Sequence, residues 1–475
     1  MIVLDCARAK NFRVNGGAIL ASTPTIDGLA REGTVFSRAV SPANWTLPSH
    51  LSIFTGVYPS IHGVQTFRRL DPTFVTTAQR LLGLGYETAM FTENIQLVAG
   101  FGVESGFENL NSRWIGVSES DRTSVNRLFH RADFLRSSQF RELVAHVPPL
   151  IAPLTMLFHS QEVAHKQAAT GAFVERRFAE WLGKRTSTRP FYAFFNLVDT
   201  HDPYDLVTKG PQLSLLERAY AFAPHYYMLG VPGMMGRVRW DALLGGYLES
   251  IHAADTKVGN LLEILNERGY RDNTWIILTS DHGQSFGEGG NAFHGCGATD
   301  SVTRVPLVVA PPRDVNVPRQ VDRWISLCEL ASWVDSIAAD RPPNPENGGS
   351  PVPWIEAGEA PRVVYCEGSS GSEALRSLRG VQTHQLWNHR LVAAYHGQHK
   401  HVLDLETSEV YYWPTSGDPD LIPPLRVAPH EALEIRRLIF PSFERNSGAT
   451  VRSRTSLLTE PDLEIDERLR SWGYD

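Results

Sequence analysis

Cysteine is scarce in this chain: its 475 residues contain four, at Cys6, Cys296, Cys328 and Cys366, and no two form a CxxC pair. That spacing excludes a disulfide scaffold and argues against a structural zinc site. Long apolar runs are missing too. The nearest, residues 147–158, falls short of the ~18 apolar residues of a membrane span and is broken by Pro148, Pro149 and Pro153. No basic stretch followed by an apolar core and a cleavage site opens the sequence, and MIVLD runs straight into a strand-like segment. The expected location is therefore the cytoplasm. Excess positive charge is absent as well, with 45 Lys and Arg against 52 Asp and Glu and a net charge of -7. Without clustered Lys or Arg there is no footing for a nucleic-acid or acidic-membrane partner.

What is present is ordinary for a globular protein: 42% hydrophobic and 20% charged residues, in a length that suits two or three domains. Short apolar runs alternate with helical patterns. Residues 2–4, 88–91, 191–197, 275–279 and 305–310 read as strands; 25–32, 77–84 and 248–268 read as helices, and 51–55 as the opening of one. Thr23 or Thr25 stands ready to cap the first helix, with Pro24 in its first turn. The alternation predicts an α/β fold with a mainly parallel central sheet and helices on both faces. In such sheets ligands bind beyond the carboxyl ends of the strands. Asp5, Asp199 and Asp281 each follow an apolar strand directly, a pattern that a folded core does not require.

Residues 1–340 read as the main domain, interrupted near 112–167 and 209–239 by insertions that either form a lid over a substrate pocket or pack on themselves. Residues 341–361, rich in Pro, Gly and acids, read as a linker. Beyond them, 362–365, 389–395 and 400–405 alternate as strands of a smaller antiparallel sheet, followed by a helix near 431–438 and a polar tail. The last segment, 362–475, is thus a C-terminal subdomain.

The densest cluster of chemistry-bearing residues is Asn44-Trp45-Thr46-Leu47-Pro48-Ser49-His50, continuing to Thr55-Gly56-Val57-Tyr58-Pro59 and His62-Gly63. It resembles the nucleophile motif of the alkaline phosphatase/sulfatase superfamily. Three further stretches resemble that superfamily's elements in the same order: Thr23-Pro24-Thr25-Ile26-Asp27-Gly28-Leu29-Ala30-Arg31-Glu32-Gly33, then Asp199-Thr200-His201-Asp202-Pro203-Tyr204, then Ser280-Asp281-His282-Gly283 with His294-Gly295. The resemblance covers residues 1–310. It implies an alkaline phosphatase-like fold, one divalent metal ion (Zn, Mn, Ca or Mg) on Asp5, Thr46, Asp281 and His282, and Thr46 as nucleophile. It further implies His201 and His294 as catalytic groups donating to substrate oxygens or to the leaving group, with His50, Asn94 and Asp199 on the substrate. A second ion bridging Asp199, His201 and His294 is compatible with the same pattern. The chemistry agrees, because ester cleavage at phosphorus or sulfur needs a nucleophile in line with the leaving group and positive charge on the remaining oxygens.

Each of these residues also has a plain structural reading. Thr46 could be a helix N-cap, Asp281-His282-Gly283 a strand-end turn, His62 a helix-closing polar residue, and Cys6 and Cys296 buried inert thiols. The sequence also departs from the sulfatases. Their nucleophile is a Cys or Ser matured to formylglycine, whereas the β-methyl of Thr46 blocks oxidation to an aldehyde. Their Arg four residues on is His50, and the second Asp of their Asp-Asp pair is Cys6. The Asn usual after Asp281 is His282, and this change and the unmodified Thr46 resemble the phosphate-handling relatives, the nucleotide pyrophosphatase/phosphodiesterases and lipoteichoic acid synthases. The expected activity is therefore phosphoester hydrolysis or phosphoryl transfer through a covalent Thr46 intermediate, on a small-molecule phosphate or sulfate ester. The alternatives are a sulfuric ester hydrolase using Thr46 directly and a degenerate, non-catalytic binding protein of the same fold.

Overall fold

The computed structural model describes residues 1–17, 19–112, 172–204, 240–288, 292–339, 363–368, 389–414 and 425–439. The expected lid insertions at 112–167 and 209–239, the linker at 341–361 and the tail beyond 439 lie outside the described residues, apart from Ser112.

Eight strands form the main sheet: β1 (Ile2–Leu4), β2 (Thr34–Phe36), β4 (Glu87–Thr92), β5 (Asn109–Ser112), β6 (Phe191–Leu197), β7 (Ile276–Ser280), β10 (Leu307–Ala310) and β11 (Gln320–Val321). Their order is β11-β2-β10-β7-β1-β6-β4-β5. Every pairing is parallel except the two made by β10, which runs against both β7 and β2. A mainly parallel sheet is thus what the alternation of short apolar runs and helices produces.

Successive residues in each central strand feed opposite faces, the two-residue period of an extended chain. Leu4, Phe91, Phe195 and Leu278 pack on one side with helices α1 (Pro24–Glu32), α5 (Phe173–Lys184) and α6 (Trp240–Glu267). Val3, Met90, Phe194 and Ile277 pack on the other with α2 (Thr46–Thr55), α4 (Thr77–Gly83) and α8 (Glu329–Ala339). Burying each such side chain contributes about 1.5–3 kcal/mol, so apolar burial is the main force on both layers.

Helix α6 starts at Trp240 rather than at the expected 248. Gly245 and Gly246 lie between the two starts. The helix runs through them because Leu243 and Tyr247, on either side, are both buried, and that burial outweighs the ~1 kcal/mol helical penalty of each glycine.

The C-terminal sheet is antiparallel and five-stranded: β13 (Val364–Gly368), β14 (Leu391–His396), β15 (His399–Asp404), β16 (Val410–Pro414) and β17 (Leu425–Arg426). Helix α9 (Pro429–Ile439) follows it. Two short two-stranded sheets complete the described strands: β3 (Ala39–Val40) with β12 (Ile325–Ser326), and β8 (Ser285–Phe286) with β9 (Ala292–Phe293). The C-terminal sheet is joined to the main domain by buried polar contacts. Lys400 Nζ reaches Asp300 Oδ1 at 2.6 Å on the short helix α7 (Asp300–Thr303), and Tyr395 OH donates to the same oxygen at 2.6 Å. The Glu367 N–H donates to Pro42 O at 2.9 Å, just upstream of α2.

Candidate active site

Strands β1 and β7 are neighbours in register, Leu4 opposite Ser280, so the residues that leave them, Asp5 and Asp281, emerge side by side. Asp281 Oδ1 accepts the backbone N–H of His282 at 2.9 Å and of Cys6 at 3.2 Å. To present that N–H, Cys6 holds a left-handed backbone (φ 67°), a conformation that costs a non-glycine residue about 1–2 kcal/mol. Two serines fix the Asp281 backbone, since Ser49 Oγ donates to its carbonyl at 2.6 Å and Ser41 Oγ does the same.

Thr46 is the first residue of α2 and 2% exposed, while Trp45 occupies the N-cap position. Its hydroxyl caps nothing and instead meets His282 Nε2 at 3.3 Å. The carbonyl of Gly283 can only accept, so the 2.9 Å contact puts the His282 proton on Nδ1 and leaves a lone pair on Nε2. That lone pair faces Asp281 Oδ2 at 3.3 Å and Asp5 Oδ1 at 3.9 Å. Asp281 Oδ2 is buried without a hydrogen-bond partner. Asp281 Oδ2 and the His282 lone pair thus face each other with only the Thr46 hydroxyl beside them, while Asp5 Oδ1 accepts the Cys6 thiol at 3.3 Å, an arrangement that a divalent cation resolves. The ligand atoms of Asp5, Asp281 and His282 lie within 4.8 Å of one another. Two carboxylates, an imidazole and a hydroxyl suit zinc, manganese or magnesium.

The electrostatics point the same way. Burial, compounded by the Asp5 charge, pushes the Asp281 carboxyl well above its usual range. Burial also lowers His282 well below an ordinary imidazole, with His294 adding to the effect, so the ring stands neutral as a ligand must. Burial opposes the Asp5 charge, but His201, His282, His50 and the Asn94 amide outweigh it and hold that carboxyl at about 2.

Each of the three residues expected on the substrate has a protein partner. His50 is fully buried; its Nδ1 donates to Thr46 O at 2.9 Å and its Nε2 accepts from Asn196 Nδ2 at 3.5 Å. Asn94 donates to Asp5 Oδ2 at 2.8 Å while its carbonyl oxygen caps the short turn Ile95–Leu97. Asp199 turns away from the acids to pair with Lys257 of α6 at 3.0 Å, so it does not join His201 and His294. Those two imidazoles do come together, with ring centroids 4.9 Å apart, and His294 lies 4.6 Å from the His282 ring. Burial, with His201 nearby, holds His294 at about 4.

Several supporting residues carry no signal in the sequence. Asn196 donates to Asp5 Oδ2 at 3.4 Å from the end of β6. Gln284 accepts from His294 Nδ1 at 2.7 Å, and its amide nitrogen donates to Asp202 Oδ1 at 3.2 Å and Tyr204 OH at 2.9 Å. Arg8, 2% exposed, reaches Glu288 at 2.6 Å and Gln284 O at 3.3 Å. Asn44 ties the segment that leads into α2 to the His294 loop, with its carbonyl accepting from Gly295 at 2.8 Å and its amide donating to Gly297 O at 3.1 Å. An Asn or Gln at a strand end is common, and only its distant partner gives it meaning.

A mainly parallel sheet covered on both faces, with acids, an imidazole and a hydroxyl gathered at the carboxyl ends of β1 and β7, is the alkaline phosphatase-like fold. Within that class the chain belongs to the Sulfatase family, whose profile matches residues 1–333. It is 25% identical over 378 residues to the steryl-sulfatase of Mus musculus, covering 66% of this chain and 58% of that protein. It is 23% identical over 364 residues to a multifunctional alkaline phosphatase superfamily protein of Trinickia caryophylli, covering 65% and 67%. The phosphonate monoester hydrolase of Agrobacterium radiobacter superposes with a TM-score of 0.60 over 97% of both chains at 19% identity. The chain therefore spans little more than half the length of the steryl-sulfatase it resembles.

Proposed function

We propose that this chain cleaves or transfers a phosphoester of a small molecule through a covalent intermediate on Thr46. The observation that carries the reading is the Thr46 hydroxyl itself, buried at the start of α2 and 3.3 Å from the His282 lone pair, above two adjacent carboxylates. A threonine cannot be matured to an aldehyde, so the hydroxyl is the nucleophile that this chain has. A divalent cation bound by Asp5, Asp281, His282 and Thr46 would lower the pKa of that hydroxyl and oppose charge on a substrate oxygen.

The chain's own groups do the rest. His50 Nδ1 holds the Thr46 carbonyl and so fixes the first turn of α2, whose free N–H groups favour an anion there. Asn94 and Asn196 orient the Asp5 carboxylate. Thr46 Oγ1 attacks phosphorus, its hydroxyl proton leaves with the ester oxygen as an alcohol, and a phospho-threonine remains for water or an acceptor alcohol to displace. His201 and His294 border the same hollow. A second reading, direct sulfuric ester hydrolysis by Thr46, is favoured by the family match and the names of its relatives.

Aryl phosphate, phosphodiester, phosphonate and sulfate esters, offered with several divalent metals, separate the two readings. Thr46→Ala should lose nearly all turnover yet retain the ion, and Thr46→Ser should keep part of the activity. With a slow phosphoester, intact-mass analysis should find a phosphate adduct on the peptide containing Thr46. Wild-type turnover by Thr46→Ala would end the proposal.

A further inference from the structure

Away from the main sheet, three imidazoles gather on the C-terminal one. Strands β14 and β15 turn through Gly397 and Gln398 and pair His396 with His399 and Ala394 with His401. Alternate residues of a strand share a face, so these four positions form a square with histidine at three corners. The other face of the hairpin, with Tyr395 and Val402, packs on the main domain, whereas Ala394 and Leu403 of this face pack with Ala432 of α9. The turn is fixed from the main domain as well. Trp324 Nε1 donates to Gly397 O at 2.8 Å, and Arg38 donates to the same carbonyl at 3.2 Å. Neither the packing nor the turn asks for an imidazole at any of the three positions.

The rings stand where one ion could join them. His396 Nε2 faces His401 Nδ1 at 2.9 Å, a contact in which one nitrogen lends its lone pair to the proton of the other. The ring centroid of His396 lies 5.1 Å from that of His401 and 5.5 Å from that of His399, and His399 and His401 are 6.4 Å apart. Three imidazoles on one tetrahedral zinc, each bound through nitrogen at about 2.0–2.1 Å, hold their centroids roughly 5 Å apart. Two of the separations already meet that condition. The third needs a shift of about 1 Å from His399, an exposed side chain of the kind that changes rotamer freely. Tyr412 of β16, opposite His401, walls the group, its ring 5.4 Å from His401 and 5.9 Å from His399.

We propose that His396, His399 and His401 hold a zinc ion or a chemically similar transition-metal cation, with solvent at its fourth position. Three nitrogens select zinc, copper(II) or nickel over magnesium and calcium, which prefer oxygen. The site lies on a different sheet from Asp5 and Asp281 and stands independently of the ion and the chemistry assigned to them. As the ion binds, the proton between His396 and His401 moves to the outer nitrogen of its own ring, and both rings then present lone pairs. The ion ties β14 to β15 across their turn, and because it uses no thiolate the cysteine spacing carries no sign of it.

The test dialyses the full chain, free of any purification tag and stripped of metal, against zinc and counts the equivalents bound. The wild type should hold one equivalent more than His399→Gln and one more than His396→Gln. Asp281→Asn should lose only the active-site equivalent, and adding His399→Gln to it should remove the other. Equal zinc in the wild type and His399→Gln overturns this proposal, and an equivalent lost only with Asp281→Asn leaves the active-site ion standing alone. A single wild-type equivalent that His399→Gln removes and Asp281→Asn keeps supports this site and counts against the other. If His396→Gln does not fold, as its melting curve would show, the exposed His399→Gln decides.

Discussion

Asn94 and Asp199 show what residue type reveals and what it hides. Each follows a predicted strand and each could have faced a substrate, yet one is spent on Asp5 and the other on Lys257. Asp5, Thr46, Asp281 and His282 were legible because their motifs are local: a strand end, a helix start, two adjacent ligands. Asn196, Gln284 and Arg8 were not, because their partners are far away in sequence and only the sheet order brings them together. The reassignment of Asn94 has a measurable consequence. A group that orients a metal-binding carboxylate typically changes affinity by 10–100-fold. Asn94→Ala should therefore weaken cation binding in that range, read by competition with a chelating dye, while leaving the melting temperature of the metal-free chain near wild type. An unchanged affinity would show that Asp5 is oriented without it.

Among the elements, α1 depends on a residue that no local pattern points to. The sequence offers Thr23 or Thr25 as its cap, and Thr23 does occupy the N-cap position, but its side chain makes no capping bond. Instead the fully buried Asp255, from the middle of α6, accepts the N–H groups of Ile26 at 2.8 Å and Thr25 at 3.1 Å. A capping carboxylate contributes about 1–2 kcal/mol. Asp255→Ala should lower the denaturation midpoint by that much with an unchanged slope, and Asp255→Asn should lose less, since its amide oxygen still accepts. Strands were read to within a few residues because burial on both faces leaves a continuous apolar run. The starts of α1 and α4 were read to within a residue, but the cap of α1 was not, because a cap arriving from another helix leaves no trace near the end it serves.

At the scale of the whole molecule, the C-terminal sheet bears directly on the residues that flank α2. Glu367, 5% exposed on β13, accepts from Ser60 Oγ at 2.7 Å and Gln65 Nε2 at 3.2 Å, while its backbone holds Pro42. Burial raises its carboxyl to about 8, only partly offset by those donors. A carboxyl whose folded pKa lies above its unfolded value of 4.5 favours folding fully below pH 4.5, and that contribution is lost as pH rises through about 8. Glu367→Gln removes the titration and keeps the shape. The variant should melt close to wild type at pH 5 and a few degrees higher at pH 9. Equal melting at both values would mean that the carboxyl ionises in place without cost.

The position of β1 has a consequence for how the protein comes into being. β1 is a central strand whose partners lie far along the chain, with Ile2 paired to Phe195 on one side and to Leu278 on the other. While the ribosome works through the residues between, that strand has neither neighbour, and Asp5 has no Asp281 beside it. A nascent chain must therefore carry an apolar segment without its partners until β6 and then β7 have been made, the circumstance in which chaperones are recruited and long-range pairing is slow.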